Sequence, residues 1–217
     1  MKAAIFDLDG TLVDSMGVWE KVDRSFLSKH GFAYDAYYTQ KLKDMNYKQA
    51  AEFTIAYLHL DTTPEQLMDE WDAMAIWEYA HSVPLKPGAE ALLYKLHAQG
   101  IPILLATVST PRLYRAVLSH YHLLDLFCFI TSPEMAHKGK DGPDLYLEAA
   151  SFVGCEPKDC IVFEDILKGL KAAKQAGFIT CAVEDESQMQ DRAAIRETAD
   201  YFVRDLAEAD QLLFSSN

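Results

Sequence analysis

Short apolar runs that end in acidic or turn residues recur along the chain: Ala3 to Phe6, Ile101 to Ala106, Phe127 to Ile130, Cys160 to Phe163 and Ile179 to Val183. Runs of this length and composition suit strands buried on both faces. Between them lie segments of helical pattern. They are Ala89 to Gln99 closed by Gly100, Pro111 to His120, Pro143 to Phe152 closed by Gly154, and Leu167 to Ala176 closed by Gly177. Proline at a helix start and glycine just past its end are the expected punctuation. Strands alternating with helices predict an α/β fold, a parallel sheet with helices on both faces.

The stretch from Ser15 to Ser82 breaks the alternation, because helical patterns follow one another there without a strand. It predicts a separate all-α domain, residues 15–82, inserted into a core made of residues 1–14 and 83–217. All three tryptophans, Trp19, Trp71 and Trp77, fall in the insertion with Tyr34, Tyr37, Tyr38, Tyr47, Tyr57 and Tyr79. Aromatics at helical spacing predict packing first and substrate contact second. The return segment Val83-Pro84-Leu85-Lys86-Pro87-Gly88 has the composition of a hinge.

Composition narrows the function classes. With 217 residues, half of them hydrophobic, the chain can bury a sizeable core. A formal net charge of −13 repels polyanions, and no basic run offsets it, so neither nucleic acid nor an anionic membrane is an expected partner. Cys128, Cys155, Cys160 and Cys181 contain no Cys-x-x-Cys pair, and are expected as reduced thiols, mostly buried in strands. The N-terminus reaches Asp7 too early for a signal-peptide core, and no apolar stretch is long enough to cross a bilayer, which predicts a cytoplasmic protein. The histidines form no metal-binding spacing, and Gly139-Lys140 lacks the surroundings of a phosphate-binding P-loop.

The strongest chemical signal is Asp7-Leu8-Asp9-Gly10-Thr11 after the first apolar run. Alternate side chains of an extended backbone share a side, so Asp7 and Asp9 can converge beyond the strand's end. Two ionised carboxylates so close call for a cation, and hard oxygen ligands favour Mg2+. In open parallel sheets ligands bind at the carboxyl ends of strands. Two further runs end in groups suited to metal-assisted phosphoryl transfer: one at Thr107-Val108-Ser109-Thr110, the other at Glu164-Asp165. A fourth segment, after Phe129-Ile130-Thr131, carries Lys138 and Lys140.

These motifs resemble the haloacid dehalogenase superfamily, in the branch of small phosphatases and beta-phosphoglucomutase-like enzymes. Asp7-Leu8-Asp9-Gly10-Thr11 is similar to that family's first motif, Thr107 to the second, Lys140 to the third and Glu164-Asp165 to the fourth. The resemblance spans nearly the whole chain and implies a Rossmann-like parallel-sheet core with an inserted helical cap. It implies that Asp7 is the nucleophile, and that Asp9 is general acid to the leaving oxygen and then base for water. Phosphate oxygens would be held by Thr107 and by backbone N–H groups around Leu8, Asp9 and Val108, with Lys140 offsetting charge. Magnesium would be held by Asp7, the Asp9 carbonyl, Asp165 and Glu164, the last directly or through its neighbours. Such chemistry consists mainly of positioning and charge neutralisation.

Two departures stand out. Lys138 is the rival for the lysine's role; aligning Pro143-Asp144 with the family's usual Lys-Pro-x-Pro-Asp selects Lys140, with Asp141 standing where that pattern has a proline that stiffens the loop. Ile166 follows the acidic pair where a small polar residue is common. The expected activity is hydrolysis of a small phosphorylated metabolite, such as a sugar phosphate, through an aspartyl phosphate. A phosphosugar mutase is the alternative, weakened because no arginine appears near Lys41 to Tyr47 to grip a second phosphate. A dehalogenase would need no Asp9, and a phospho-receiver module would carry its aspartate on a later strand. The cap would choose the leaving group, with Asp14, Trp19, Met45 and Tyr47 as candidate neighbours.

Overall fold

A computed structural model describes residues 1–42, 45–131 and 139–214. The predicted runs form β1 (Ala3–Phe6), β2 (Ile103–Leu105), β3 (Phe129–Ile130), β4 (Cys160–Glu164) and β5 (Ile179–Val183), and a further strand, β6 (Tyr201–Val203), follows. They make one sheet in the order β3-β2-β1-β4-β5-β6, with every described pairing parallel. The helices are α1 (Val18–Lys29), α2 (Ala36–Leu42), α3 (Tyr47–Leu58), α4 (Pro64–His81), α5 (Ala89–Ala98), α6 (Pro111–His120), α7 (Asp144–Phe152), α8 (Leu167–Gln175), α9 (Arg192–Thr198) and α10 (Leu206–Ala209). None of the described helices is long and apolar enough to cross a membrane.

The chain divides into two compact units, Met1–Met16 with the chain from Val83 onward, and Gly17–Ser82. In the first, β1 and β4 are buried at every position, which is why their sequences carry no polar alternation. Ala3, Ile5, Leu104 and Val162 pack with Tyr146 and Ala149 of α7 and Ala173 of α8. On the central strands Phe6 and Phe163 stack at 4.5 Å. Leaving and returning segments of this unit run side by side: Asp14 N–H donates to Pro84 O at 2.9 Å and Lys86 N–H to Leu12 O at 2.9 Å.

The second unit contains α1 to α4. Local chemistry sets two of their starts: Asn46 and Gln49 form a capping box at α3, and Thr63 and Gln66 another at α4, where Pro64 takes the first turn. The tryptophans do not share one role. Trp71 is 4% exposed, packed edge-on against Phe26 at 5.8 Å, whereas Trp19 is 47% and Trp77 55% exposed.

Several expectations need correction. Ile101 and Pro102 stand outside β2, because Ile101 N–H closes the preceding helix onto Leu96 O at 3.0 Å and Pro102 has no N–H to give a ladder. Cys128 is exposed, since β3 begins only at Phe129, while Cys160 and Cys181 are buried and all four thiols are free. The strand β6 went unpredicted because Tyr201 is exposed and Phe202 only partly covered at the sheet's edge, so no continuous apolar run marks it.

Candidate functional site

The sheet's register assembles the site. Phe6 pairs with Leu105 on one side and Phe163 on the other. The ladder continues one step, with Asp7 N–H donating to Phe163 O at 3.0 Å and Ala106 N–H to Phe6 O at 2.8 Å. Asp7, Ala106-Thr107 and Glu164-Asp165 therefore leave the sheet at one level, from three adjacent strands. Beyond Asp9 the chain must turn sharply. Leu12 and Val13 N–H both return to Leu8 O, at 2.9 and 3.0 Å, and Gly10 sits at φ +84°. A Cβ at Gly10 would overlap the Asp165 carboxylate, so both the backbone angle and the close approach require glycine there.

The carboxylates of Asp7, Glu164 and Asp165 offer oxygens that all lie within 4.8 Å of one another, and all three residues are buried. Lys140, 6% exposed, places Nζ 2.6 Å from Asp7 Oδ1 and 2.5 Å from Glu164 Oε1. Glu164 is otherwise fully engaged. Its Oε2 accepts Asp165 N–H at 2.7 Å and Ile166 N–H at 3.0 Å, and its Oε1 also accepts the Tyr146 hydroxyl at 3.1 Å. Thr11 Oγ1 donates to Asp165 Oδ1 at 3.3 Å. Among the described residues, two oxygens of this group remain buried without a partner, Asp7 Oδ2 and Asp165 Oδ2.

That pattern has an electrostatic consequence. Burial pushes the Asp7 carboxyl up to about 8 and the Asp165 carboxyl up to about 9, with Glu164 adding to both and Lys140 opposing. For the Lys140 ammonium burial works against the charge, but Asp7 and Glu164 outweigh it and hold the proton more tightly than usual. Three carboxylates against one ammonium leave two negative charges uncompensated when all are ionised. Two open carboxylate oxygens beside that deficit fit a hard divalent cation.

Asp9 is held from two directions. Ser15 Oγ donates to its Oδ1 at 2.6 Å, and Ser109 Oγ donates to its Oδ2. Thr107 is fully buried, accepts Ser109 N–H at its Oγ1 at 3.0 Å, and donates its own N–H to Thr131 Oγ1 at 3.1 Å. Leu8 turns its side chain into the core and Val108 is exposed, so what either can give a ligand is its backbone N–H. Lys138, with Lys43 and Asp44 of the Lys41 to Tyr47 segment, lies outside the described residues.

Sequence reasoning missed the groups that orient these side chains. Ser15 and Tyr146 bear no local motif, and Ser109 was visible only as a hydroxyl after Thr107. Gly169, inside α8, had no signal at all. A Cβ there would stand 2.5 Å from Glu164 Oε1 and 2.8 Å from the Tyr146 hydroxyl oxygen.

Comparison with known proteins identifies the family and fold that the chain is similar to. A family model described as haloacid dehalogenase-like hydrolase matches residues 1–177. The validoxylamine A 7'-phosphate phosphatase of Streptomyces hygroscopicus subsp. limoneus is 30% identical over 208 residues, covering 95% of each chain. The bifunctional riboflavin kinase/FMN phosphatase of Arabidopsis thaliana is 29% identical over 180 residues; the match covers 82% of this chain but only 47% of that protein. Among solved structures, CbbY from Rhodobacter sphaeroides in complex with phosphate has a TM-score of 0.75 at 22% identity, covering 96% of each chain.

Proposed function

We propose, on the premise that the chain belongs to the haloacid dehalogenase-like hydrolases, that it is a magnesium-dependent phosphatase of small phosphate esters working through Asp7. The observation that carries the proposal is the buried group of Asp7, Glu164 and Asp165 with one lysine and two unpartnered carboxylate oxygens.

In this reading one carboxylate oxygen of Asp7 attacks phosphorus and the ester oxygen departs, while its other oxygen would meet the metal ion. Lys140, paired to Asp7, draws charge from the phosphoryl oxygens as well. Asp9, fixed by Ser15 and Ser109, gives its proton to the leaving oxygen and later removes one from the water that cleaves the aspartyl phosphate. Thr107 and the backbone after it hold phosphoryl oxygens. Asp7 and Asp165 would hold the magnesium ion, with the Asp9 carbonyl expected from the family's pattern, and the bound ion would supply positive charge at the phosphoryl group. Glu164 holds Lys140 and the turn at Asp165, because its own oxygens are already engaged. Within the same reading, the unit Gly17–Ser82 is the cap and the rest of the chain the catalytic core.

The test is a panel of phosphorylated metabolites, sugar phosphates and nucleotides among them, incubated with magnesium or with chelator while inorganic phosphate is measured. Metal-dependent release from at least one ester is expected. No release from any of them, or equal release with chelator, contradicts the proposal. Isomerisation of a sugar phosphate without phosphate release would replace it with the mutase.

A further inference from the structure

The helical unit contains a cavity of about 460 Å³, lined among others by Trp19, Glu20, Asp23, Tyr34, Tyr47 and Trp71. Its volume is that of a small-molecule site. Its wall is aromatic: Tyr47 stands 5.9 Å from Trp19 and 5.8 Å from Trp71 between ring centres. Three of these rings remain well exposed, Trp19 at 47%, Tyr34 at 40% and Tyr47 at 39%. Exposed aromatic faces gathered at one concavity mark a binding surface more often than a solvated one.

The charges in the wall are unevenly satisfied. Glu20 is taken by Arg24, whose Nε and Nη2 lie 3.0 and 2.7 Å from its Oε1 and whose guanidinium covers the Tyr34 ring at 3.7 Å. Tyr47 gives its hydroxyl proton to Asp72 Oδ1 at 2.8 Å. Asp23 has no hydrogen-bond or ion-pair partner among the described residues, although it is partly buried and stands on the same helix as Glu20. Burial, with Glu20 adding, pushes its carboxyl up to about 6. Among the described residues, no lysine or arginine lines the cavity. An anionic group is a poor match to this described wall, and an uncharged sugar, whose C–H faces also lie against aromatic rings, would meet the carboxylate with hydroxyl donors alone. What fits is flat, to lie against the rings, and carries hydrogen on nitrogen, to meet the open carboxylate.

We propose that this cavity binds a planar nitrogen heterocycle whose edge presents adjacent N–H donors to Asp23 while one face packs against Trp19, the Tyr47 ring standing at 69° to that indole. The inference concerns the helical unit alone and does not depend on the phosphatase assignment. The ring can arrive in two forms, as the organic part of a phosphate ester or as a free compound, and the two are separable by experiment.

Intrinsic tryptophan fluorescence of the full chain reports occupancy directly, because Trp19 and Trp71 line the cavity. The probes are guanosine, whose edge has adjacent N–H donors, and uridine, whose one ring N–H lies between two carbonyl oxygens. Ribose 5-phosphate has no ring of this kind. Saturable quenching by guanosine is expected, with little by uridine and none by ribose 5-phosphate. Asp23→Asn should weaken guanosine at least about tenfold, the loss of a charge-assisted hydrogen-bond pair. Trp19→Ala should weaken it independently, with unchanged circular dichroism showing that the helices persist. Guanosine 5'-monophosphate hydrolysed with a KM that rises in Asp23→Asn, while kcat on acetyl phosphate stays put, would identify the ring as part of a substrate. Guanosine binding without hydrolysis of the monophosphate would identify a free ligand. No binding of guanosine, or equal loss of all three probes in Asp23→Asn, overturns the inference. Failure of the phosphatase assignment alone would show as phosphate esters left intact while guanosine still quenches.

Discussion

Gly169→Ala is the sharpest structural perturbation of the site, because it alters nothing that would touch substrate. In an unobstructed helix interior the change would stabilise by up to about 1 kcal/mol, since alanine loses less backbone freedom than glycine. Here the new methyl carbon would meet Glu164 Oε1 at 2.5 Å and the Tyr146 hydroxyl oxygen at 2.8 Å. Both neighbours are buried and bonded to each other, and Glu164 is held to the backbone of Asp165 and Ile166. Relief requires Glu164 to shift by several tenths of an ångström. Overpacking of this kind costs about 1–3 kcal/mol, which outweighs the propensity gain near the helix start. Lys140 would follow Glu164 and loosen its 2.6 Å pair with Asp7. A misplacement of that order in a phosphoryl-transfer site slows turnover by about 10- to 100-fold. Urea unfolding and steady-state phosphate release on the same preparation measure both effects, with Gly17→Ala as control because nothing lies within 4 Å of a Cβ there. A Gly169→Ala protein as stable as the parent, with unchanged kcat, would refute the packing argument and the linkage from Glu164 through Lys140 to Asp7.

Magnesium should raise the melting temperature by about 5 °C or more at a hundredfold excess over its dissociation constant, where linkage supplies about 2.7 kcal/mol. Asp165→Asn should abolish that shift in a thermal scan. Lys86→Met should cost about 1–3 kcal/mol in urea unfolding, because it leaves the buried Asp185 Oδ2, 2.5 Å from Lys86 Nζ, without its cation while Ser187 keeps only Oδ1. For Asp23 the folded carboxyl sits at about 6, above its unfolded value, so the protonated form favours the fold. Its stabilising contribution is complete below about pH 4 and lost as pH rises through 6, worth about 1–2 kcal/mol after allowance for partial solvent exposure. Because Glu20 and the Tyr38 hydroxyl share its surroundings, the measurement is the difference in unfolding free energy between parent and Asp23→Asn across that window. A flat difference contradicts it.

The parallel sheet was legible wherever a strand is buried on both faces, as β1 and β4 are, because such strands stay apolar up to their carboxyl ends. Asp7 and Glu164 stand where those runs end, so the strand ends could be found by the break in apolarity alone. At the edge that signal fades, and β6, covered on one face only at Val203, left no continuous run. Likewise, Thr107 and Lys140 were found through motifs, but the hydroxyls that orient Asp9 reach it through the turn that follows it, for Ser15, and from a different strand end, for Ser109, and periodicity encodes neither. The aromatic residues of the helical unit show the limit most plainly. Their spacing predicted packing, yet only the structure separates Trp71, buried, from Trp19, half exposed, and shows that both line one cavity.

The central claim is that Asp7 carries the phosphoryl group. Rapid acid quench during turnover of a phosphate ester with magnesium, followed by peptide mass analysis, tests it directly. The account predicts a phosphoryl mass on the peptide containing Asp7, and neither adduct nor activity in Asp7→Asn. An Asp7→Asn protein that still releases phosphate at the parent rate, or a phosphoryl group trapped on another residue, would contradict it.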